Sequence, residues 1–311
     1  MDVSVVICTY SMERYEVFSE CVESVLAQTY DPLEIVLVVD GNEAVLGRVE
    51  SDFGDREGVL VHCNDENRGI SYSRTKGARL SSGEIVAFID DDATAEPDWI
   101  SELVRVYEET DAIAVGGHVV PDWVTEKPDF FPAEFYWLVG CDERGFGEHM
   151  EELRNTYGSN ISFKREVFLG VGGYDENTGR KGDRHIQAHE APVCIRMAHE
   201  YGKGVIYNKE AVVHHKLFDY RGNFRWLVSR SFWQGYSKRI MDILLPEAKG
   251  DKNEYLKDLM LGFVPKRIAN LICRPSLAKV LQLVTIFVFT AAVGFGYLYG
   301  LATVRASDLQ G

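Results

Sequence analysis

Residues 85–99 read IVAFIDDDATAEPDW, and this stretch decides the fold. The apolar run Ile85–Ile89 is typical of a buried strand, and three carboxylates, Asp90, Asp91 and Asp92, follow it directly. Adjacent carboxylates repel one another, and a bound cation would remove that repulsion. The stretch is therefore either a solvated turn before the next helix or the end of a strand that binds a cation.

Apolar strands alternate with amphipathic helices on both sides of this stretch. Strands are predicted at Val3–Thr9, Glu34–Val39, Val59–Cys63, Ile85–Ile89 and Ala112–Val120, and helices at Glu16–Gln28, Ile70–Leu80 and Pro97–Tyr107. Such alternation predicts an α/β fold with a mainly parallel sheet and helices on both faces. Ligands of these sheets bind beyond the carboxyl ends of the strands, where Asp40 would join the three aspartates.

The composition narrows the classes of function. The 311 residues suffice for one large α/β domain or two small ones. With 33 Lys and Arg against 48 Asp and Glu, the net charge is -15, which argues against nucleic acid as a partner. An acidic surface fits an ordinary solvated protein and a high-salt protein equally well. The six cysteines include no CxxC pair, so we expect reduced, buried thiols rather than disulfides or a zinc site.

The C-terminal region differs from the rest of the chain. Val280–Val304 contains 25 residues without a charge, more than the roughly 20 that cross a bilayer as a helix. Several basic residues lie between 266 and 279, and only Arg305 follows, so the positive-inside rule places the preceding chain in the cytoplasm. A buried core helix is the alternative interpretation.

Residues 217–279 are interpreted as a helical region at the membrane surface, because 221–245 mix basic and aromatic side chains. The alternative is an amphipathic helix that packs on the core and turns a basic face to solvent. The sequence is thus divided into a catalytic domain at 1–216, an interfacial region at 217–279, a transmembrane helix at 280–304 and a short tail at 305–311.

Three segments carry a resemblance to a known family. They read VSVVICTY at 3–10, EIVLVVDG at 34–41 and NRGISYSRTKGARLSSGEIVAFIDDDA at 67–93. In this order they resemble the family 2 glycosyltransferases of the GT-A fold, and the resemblance extends from Val3 to about His215. It implies an inverting transfer of a sugar from a nucleotide diphosphate donor such as a UDP-sugar, with Mg²⁺ or Mn²⁺ as the cofactor. A metal on the aspartates would stabilise the charge that the leaving diphosphate gains.

The resemblance also implies roles for single residues. The donor side is expected to comprise Thr9, Tyr10, Asp40, Asn67, Arg68, Gly69, Arg74, Asp90 and Asp91. Within this set, Thr9, Tyr10 and Asp40 would hold the nucleobase, and Asp91 would lie near the ribose and the diphosphate. Arg74 is interpreted as a diphosphate partner or, equally, as a surface arginine on a helix.

Metal binding is predicted for two residues. Asp92 is expected to bind the metal directly, and His214 is expected to reach it from a strand end. A solvated position at the strand end is the alternative for His214.

The catalytic base is expected in HEAPVCIR at 189–196. The family carries an acidic pair a few residues before Cys-Leu-Arg, and this register places Glu190 on the base and His189 on its acidic neighbour. Glu190 would take the proton of the acceptor hydroxyl, and His189 would contact substrate. A zinc site on His185 and His189 is disfavoured, because Val193 stands where a zinc helix would need a further histidine.

Taken together, the sequence resembles haloarchaeal hexuronic acid transferases of surface-layer protein N-glycosylation. This implies a membrane enzyme that moves a sugar, with hexuronic acid as the first choice, from a UDP-sugar to a dolichyl-phosphate-linked acceptor. A nucleotidyltransferase is disfavoured because the segment after the first strand has no glycine. A non-catalytic partner subunit of the same fold remains an alternative, because the base motif is altered.

Overall fold

The structure, a computed structural model, describes residues 1–142, 147–175, 190–244 and 256–304. Two predictions, the substrate contact by His189 and the tail at 305–311, lie outside the described residues.

The first half of the sheet is parallel. Its strands are β1 (Val3–Thr9), β2 (Leu33–Val39), β3 (Val59–Cys63) and β4 (Ile85–Asp90), in the order β3-β2-β1-β4. Helices α1 (Tyr15–Leu26), α2 (Glu43–Phe53) and α3 (Ile70–Leu80) lie between them in the chain. Most residues of β1, β2 and β4 are buried, which is why these strands are continuous apolar runs rather than alternating ones.

The second half of the sheet is built from antiparallel pairs. The short strand β5 (Ala93–Ala95) precedes α4 (Trp99–Glu109). After α4, the chain adds β6 (Ala114–Trp123), the short strand β7 (Glu152–Leu153), β8 (Ile161–Lys164) and β9 (Val205–Leu217). Strand β8 pairs with β4 and β6, and β9 pairs with β5 and β7. The predicted α/β fold is confirmed. The sheet is mixed, because β8 returns antiparallel to β4 and separates β6 from the parallel strands.

Two apolar cores cover the two faces of the sheet, as the alternation along β1 shows. Val5 and Ile7 belong to one core, together with Phe18 of α1 and Trp99 of α4. Val6 belongs to the other, which includes residues of α5 (Arg165–Gly170) and α6 (Glu190–Tyr201). All six cysteines are free, and four of them are buried, while Cys63 is half-buried and Cys273 is exposed.

The described residues fall into two units. One comprises the described parts of 1–121 and 142–216, and the other those of 122–141 and 217–304. Within the described residues, the second unit contains the 3-10 helices Ala133–Val139 and Asp219–Gly222 and the π-helix Leu259–Phe263. It also contains the α-helices α7 (Phe224–Leu244), α8 (Val264–Cys273) and α9 (Leu277–Thr303). The division of the sequence into four functional regions stays a prediction.

Helix α9 is the one helix in the described part of the chain that is long and apolar enough to cross a membrane. It includes nearly all of the predicted span, 280–304, and begins three residues earlier. Length and composition alone are weak evidence for a crossing, since the core helix of a soluble protein meets the same criteria.

Candidate active site

The carboxyl ends of three neighbouring parallel strands form one edge of the sheet. Thr9 ends β1, Asp40 follows β2, and Asp90 ends β4. The backbone N–H of Asp40 donates to the carbonyl of Thr9 at 2.8 Å, so the strand ends are in direct contact. The edge at which the sequence places the ligands therefore carries the acidic residues that follow β2 and β4.

Asp40 is buried, and its carboxylate holds the loop before α3. Oδ1 accepts from Asn64 Nδ2 at 2.8 Å and from the backbone N–H of Arg68 at 3.0 Å, and Oδ2 accepts from the N–H of Gly69 at 2.8 Å. Gly41 allows this approach, because a Cβ at that position would overlap the backbone of Asn67. Asp40 thus fixes the loop 67–69, and the predicted nucleobase contact stays a prediction.

Other predicted donor-side residues lie at this edge with different exposure. Thr9 is buried, and its Oγ1 has no hydrogen-bond partner among the residues that the structure describes. Tyr10 and Asn67 are exposed. The guanidinium of Arg68, in the loop before α3, lies 3.8 Å from the ring centroid of Tyr72 on the first turn of α3, a cation–π contact. A buried, unpaired hydroxyl beside an exposed aromatic ring suits a bound polar ligand.

Three side chains at the end of β4 could hold a metal ion. Asp90, Asp92 and His215 each present one ligand atom, and these atoms all lie within 4.8 Å of one another. Asp92 is almost fully buried, and its Oδ1 lies 3.1 Å from His215 Nε2. His215 reaches this point because β9 pairs with β5, which places His215 opposite Ala93.

His214, the histidine predicted to bind the metal, is not part of this cluster. Its Nε2 lies 2.6 Å from Glu96 Oε1. Successive side chains of a strand point to opposite faces, so only one of two adjacent histidines can face the aspartates. In the structure His215 faces the aspartates, and this depends on the register in which β9 pairs with β5.

Arg14 is a residue of this cluster that the sequence did not indicate. It ends a 3-10 helix, Met12–Arg14, shortly after β1, and its Nη2 lies 2.9 Å from Asp91 Oδ1 and 2.8 Å from Asp92 Oδ2. Its position in the loop after β1, at the ligand-binding edge, is the signal that could have found it. Arg14 compensates part of the negative charge of Asp91 and Asp92. The two carboxylates and one imidazole of the cluster are ligand types that suit a divalent cation.

The buried side chain of Arg74, on α3, lies close to both Asp90 and Glu190. The side chain is 2% exposed, so the interpretation as a surface arginine is wrong. Nη2 lies 2.5 Å from Asp90 Oδ1 and donates to the carbonyl of Gly158 at 2.9 Å, while Nη1 lies 3.8 Å from Glu190 Oε1. Burial lowers the pKa of Arg74, but the carboxylates of Asp90 and Glu190 outweigh burial and raise the pKa overall. Arg74 therefore stays charged.

Glu190, the predicted base, begins α6, and its side chain is 18% exposed. Its approach to Arg74 depends on Gly158. A Cβ at that position would overlap Glu190 Oε1 and would lie 2.5 Å from Arg74 Nη1. Gly158 is not among the site residues predicted from the sequence. The structure shows that it leaves room for an arginine and a carboxylate to meet.

Comparison with known proteins identifies the family. The family described as Glycosyl transferase family 2 matches residues 4–171. The chain belongs to this family. A Haloferax volcanii protein named glucosyl-dolichyl phosphate glucuronosyltransferase is 74% identical over 304 residues, which cover 97% of this chain and 97% of that protein. Succinoglycan biosynthesis protein ExoM of Rhizobium meliloti is 25% identical over 264 residues, 81% of this chain and 76% of that protein.

Solved structures agree on the fold of this family 2 glycosyltransferase. A mannosyltransferase from Pyrobaculum calidifontis, in complex with GDP-Man and Mn²⁺, aligns with a TM-score of 0.55 at 19% identity, covering 96% of this chain and 85% of that chain. Residues 1–349 of S. aureus TarS with UDP-GlcNAc align with a TM-score of 0.53 at 13% identity, covering 94% and 82%. At such identities the likeness shows the GT-A fold, as the motifs predicted.

Replacing Gly158 by Ala tests the contact between Arg74 and Glu190. The new Cβ would displace the Glu190 carboxylate, so we expect kcat to fall about 10²-fold while KM for the donor changes little. Gly47→Ala on α2 is the matched control, because its Cβ would meet nothing within 4 Å. Steady-state kinetics on both variants decide the matter, and an unchanged kcat for a folded Gly158→Ala protein would contradict it.

Replacing the two adjacent histidines separately tests the metal cluster. His215→Ala should weaken Mn²⁺ binding in the presence of UDP by about tenfold or more, because it removes a ligand atom from the set. His214→Ala should leave it unchanged, since His214 contacts Glu96 instead. Calorimetric titration of Mn²⁺ measures both, and a larger loss for His214→Ala would show that the sequence-based choice was right.

Proposed function

We propose that this glycosyltransferase moves glucuronic acid from UDP-glucuronate to glucosyl-dolichyl phosphate. The observation that carries the proposal is the 74% identity to the Haloferax volcanii protein of that name over 97% of both chains. The acceptor would then be a lipid carrying one sugar, a narrower class than the dolichyl-phosphate-linked glycan that the sequence suggested. Assembly of N-glycans for surface-layer proteins is the process that we propose it serves.

The acidic cluster would serve the donor diphosphate. Asp90, Asp92 and His215 would hold a divalent cation, which supplies Lewis-acid stabilisation of the diphosphate leaving group. Mg²⁺ is usually bound through carboxylates and water, whereas imidazole suits transition metals, so the histidine in the set favours Mn²⁺. Arg14 adds positive charge beside Asp91 and Asp92, where an anionic donor must bind to an acidic protein.

The nucleoside would lie against the ends of β1 and β2. The buried hydroxyl of Thr9 and the exposed ring of Tyr10 are available there. The loop 67–69 would line this part of the site in the orientation that Asp40 imposes on it. Arg74, for which the sequence suggests a contact with the diphosphate, would act indirectly through Asp90 and Glu190.

Glu190 would act as the base. Because a glucosyl acceptor offers a neutral hydroxyl, its proton must leave as the oxygen attacks the anomeric carbon. The proton would pass to a Glu190 carboxylate oxygen, the bond between the anomeric carbon and UDP would break, and the configuration at that carbon would invert. Arg74 would hold the Glu190 carboxylate in position. The presence of this carboxylate beside the acidic cluster argues against a non-catalytic partner subunit.

A lipid-linked acceptor requires access to a membrane. Helix α9 supports membrane attachment by its length and apolar composition. The sequence places the catalytic region on the cytoplasmic side, where nucleotide sugars are made, and this orientation remains part of the proposal. The way in which α9 meets the bilayer depends on its neighbour α7.

The function is tested by a screen of donors against two acceptors. Purified protein is incubated with UDP-glucuronate, UDP-glucose or GDP-mannose, and with glucosyl-dolichyl phosphate or dolichyl phosphate. We expect a mass increase of one hexuronate on glucosyl-dolichyl phosphate only, read by mass spectrometry of the lipid. Transfer of another sugar, or to dolichyl phosphate alone, would refute the assignment.

Replacing Glu190 by Gln removes the base without changing the size of the side chain. We expect kcat to fall by about 10²-fold or more, with UDP binding unchanged, because only proton removal is lost. Turnover and calorimetric UDP binding measure the two effects. Wild-type turnover in Glu190→Gln would eliminate Glu190 as the base.

A further inference from the structure

Helices α7 and α9 lie side by side and run in the same direction. Phe224 contacts Phe289, with ring centroids 6.0 Å apart, and a Cβ at Gly296 would overlap the carbonyl of Phe232. Farther along, a Cβ at Gly300 would lie 2.9 Å from Arg239 Cβ. Because the contacts advance together along both helices, α7 accompanies α9 from about Phe289 to Gly300. Glycine is needed at these points because the two backbones nearly touch.

Helix α7 is charged along the length that lies beside α9. Arg225 and Lys238 are exposed, and Arg230 and Arg239 are half-buried. The hydroxyl of Tyr297 on α9 donates to Asp242 Oδ2 of α7 at 2.8 Å. If α9 crossed a bilayer, α7 would have to enter the hydrocarbon with these charges, which is unfavourable.

The exposed apolar residues of α9 occupy about half of its circumference, opposite its buried residues. They recur at helical spacing and include Val280, Val284, Phe287, Phe295 and Leu298. A second set, Ile286, Phe289, Ala292, Gly296 and Gly300, is buried. A helix with one apolar face exposed and the other covered by a charged helix is typical of the membrane interface, whereas an isolated span is exposed to lipid on all sides.

The charge of this region is opposite to that of the whole chain. Residues 217–304 contain twelve Lys and Arg against six Asp and Glu, although the chain has 33 against 48. Lys266 and Arg274 of the α8 region are exposed close in sequence to the exposed apolar residues Ile268 and Ile272. Basic residues next to exposed apolar ones suit a bilayer with anionic headgroups.

We propose that α9, together with α7, binds one leaflet of an anionic bilayer and does not cross it. The stripe from Val280 to Leu298 would enter the leaflet, and the basic residues of α7 and α8 would contact the headgroups. The chain would then be monotopic, meaning that both of its ends lie on the same side. This inference goes beyond the proposed function, since it concerns attachment rather than transfer.

Reporter fusions after Gly311 test the topology of the full chain in a bacterial host. We expect the fusion to green fluorescent protein to fluoresce and the fusion to alkaline phosphatase to be inactive. Both results follow if the C-terminus stays in the cytoplasm, where green fluorescent protein folds and alkaline phosphatase does not become active. An active phosphatase fusion and a green fluorescent protein fusion without fluorescence would overturn the proposal and show that α9 crosses the membrane. A fluorescent protein fused before Met1 reports the side of the N-terminus in the same cells.

Flotation of the purified full chain with vesicles tests the lipid-facing stripe. The double variant Phe287→Ser, Phe295→Ser should bind vesicles of phosphatidylglycerol and phosphatidylcholine at least about tenfold more weakly than wild type. Val124→Ser, an exposed residue outside the helices, is the matched control and should bind normally. Wild-type binding by the double variant would refute the stripe. Transfer in detergent, measured on the same preparations, separates a loss of attachment from a failure of the proposed function.

Discussion

The buried charge of Arg74 is the constraint on which the catalytic centre depends. A guanidinium that is 2% exposed is tolerated only beside carboxylates, and here they come from distant parts of the chain, Asp90 at the end of β4 and Glu190 at the start of α6. Removal of either partner would leave buried charge uncompensated. One arginine thus connects the acidic edge of the sheet to Glu190, the proposed base, and Gly158 leaves the space in which the two side chains meet.

In the acidic cluster, a buried negative charge needs positively charged partners, just as the buried charge of Arg74 needs carboxylates. Asp92 is as deeply buried as Arg74, and its carboxylate is flanked by Arg14 and His215. The protein supplies part of the compensating charge itself, and a divalent cation fits the remaining ligand positions. An acidic protein that uses an anionic donor needs such local positive charge, because its average field repels the donor.

The region 217–304 differs from the rest of the chain in composition, because its basic residues outnumber its acidic ones. Its basic residues, its exposed apolar stripe and its closely packed helices suit a lipid surface, whereas the sheet and its acidic edge suit a water-soluble nucleotide. The two halves of the proposed reaction, a soluble donor and a lipid-linked acceptor, thus correspond to two kinds of surface on one chain.

The sequence by itself determined the parallel strands, their ligand-binding edge and the family. The bounds of β1 agree with those predicted, because a strand buried on both faces is a continuous apolar run that can be recognised locally. The bounds of β3, an edge strand that is only partly buried, also agree with those predicted. Only the tertiary structure decided the antiparallel half of the sheet, the selection of His215 over its neighbour, the place of Arg14 and the companion of α9. Each of these depends on which distant segments pair or pack, and local sequence does not specify that: a slip of one residue between β9 and β5 would have turned the other histidine to the aspartates.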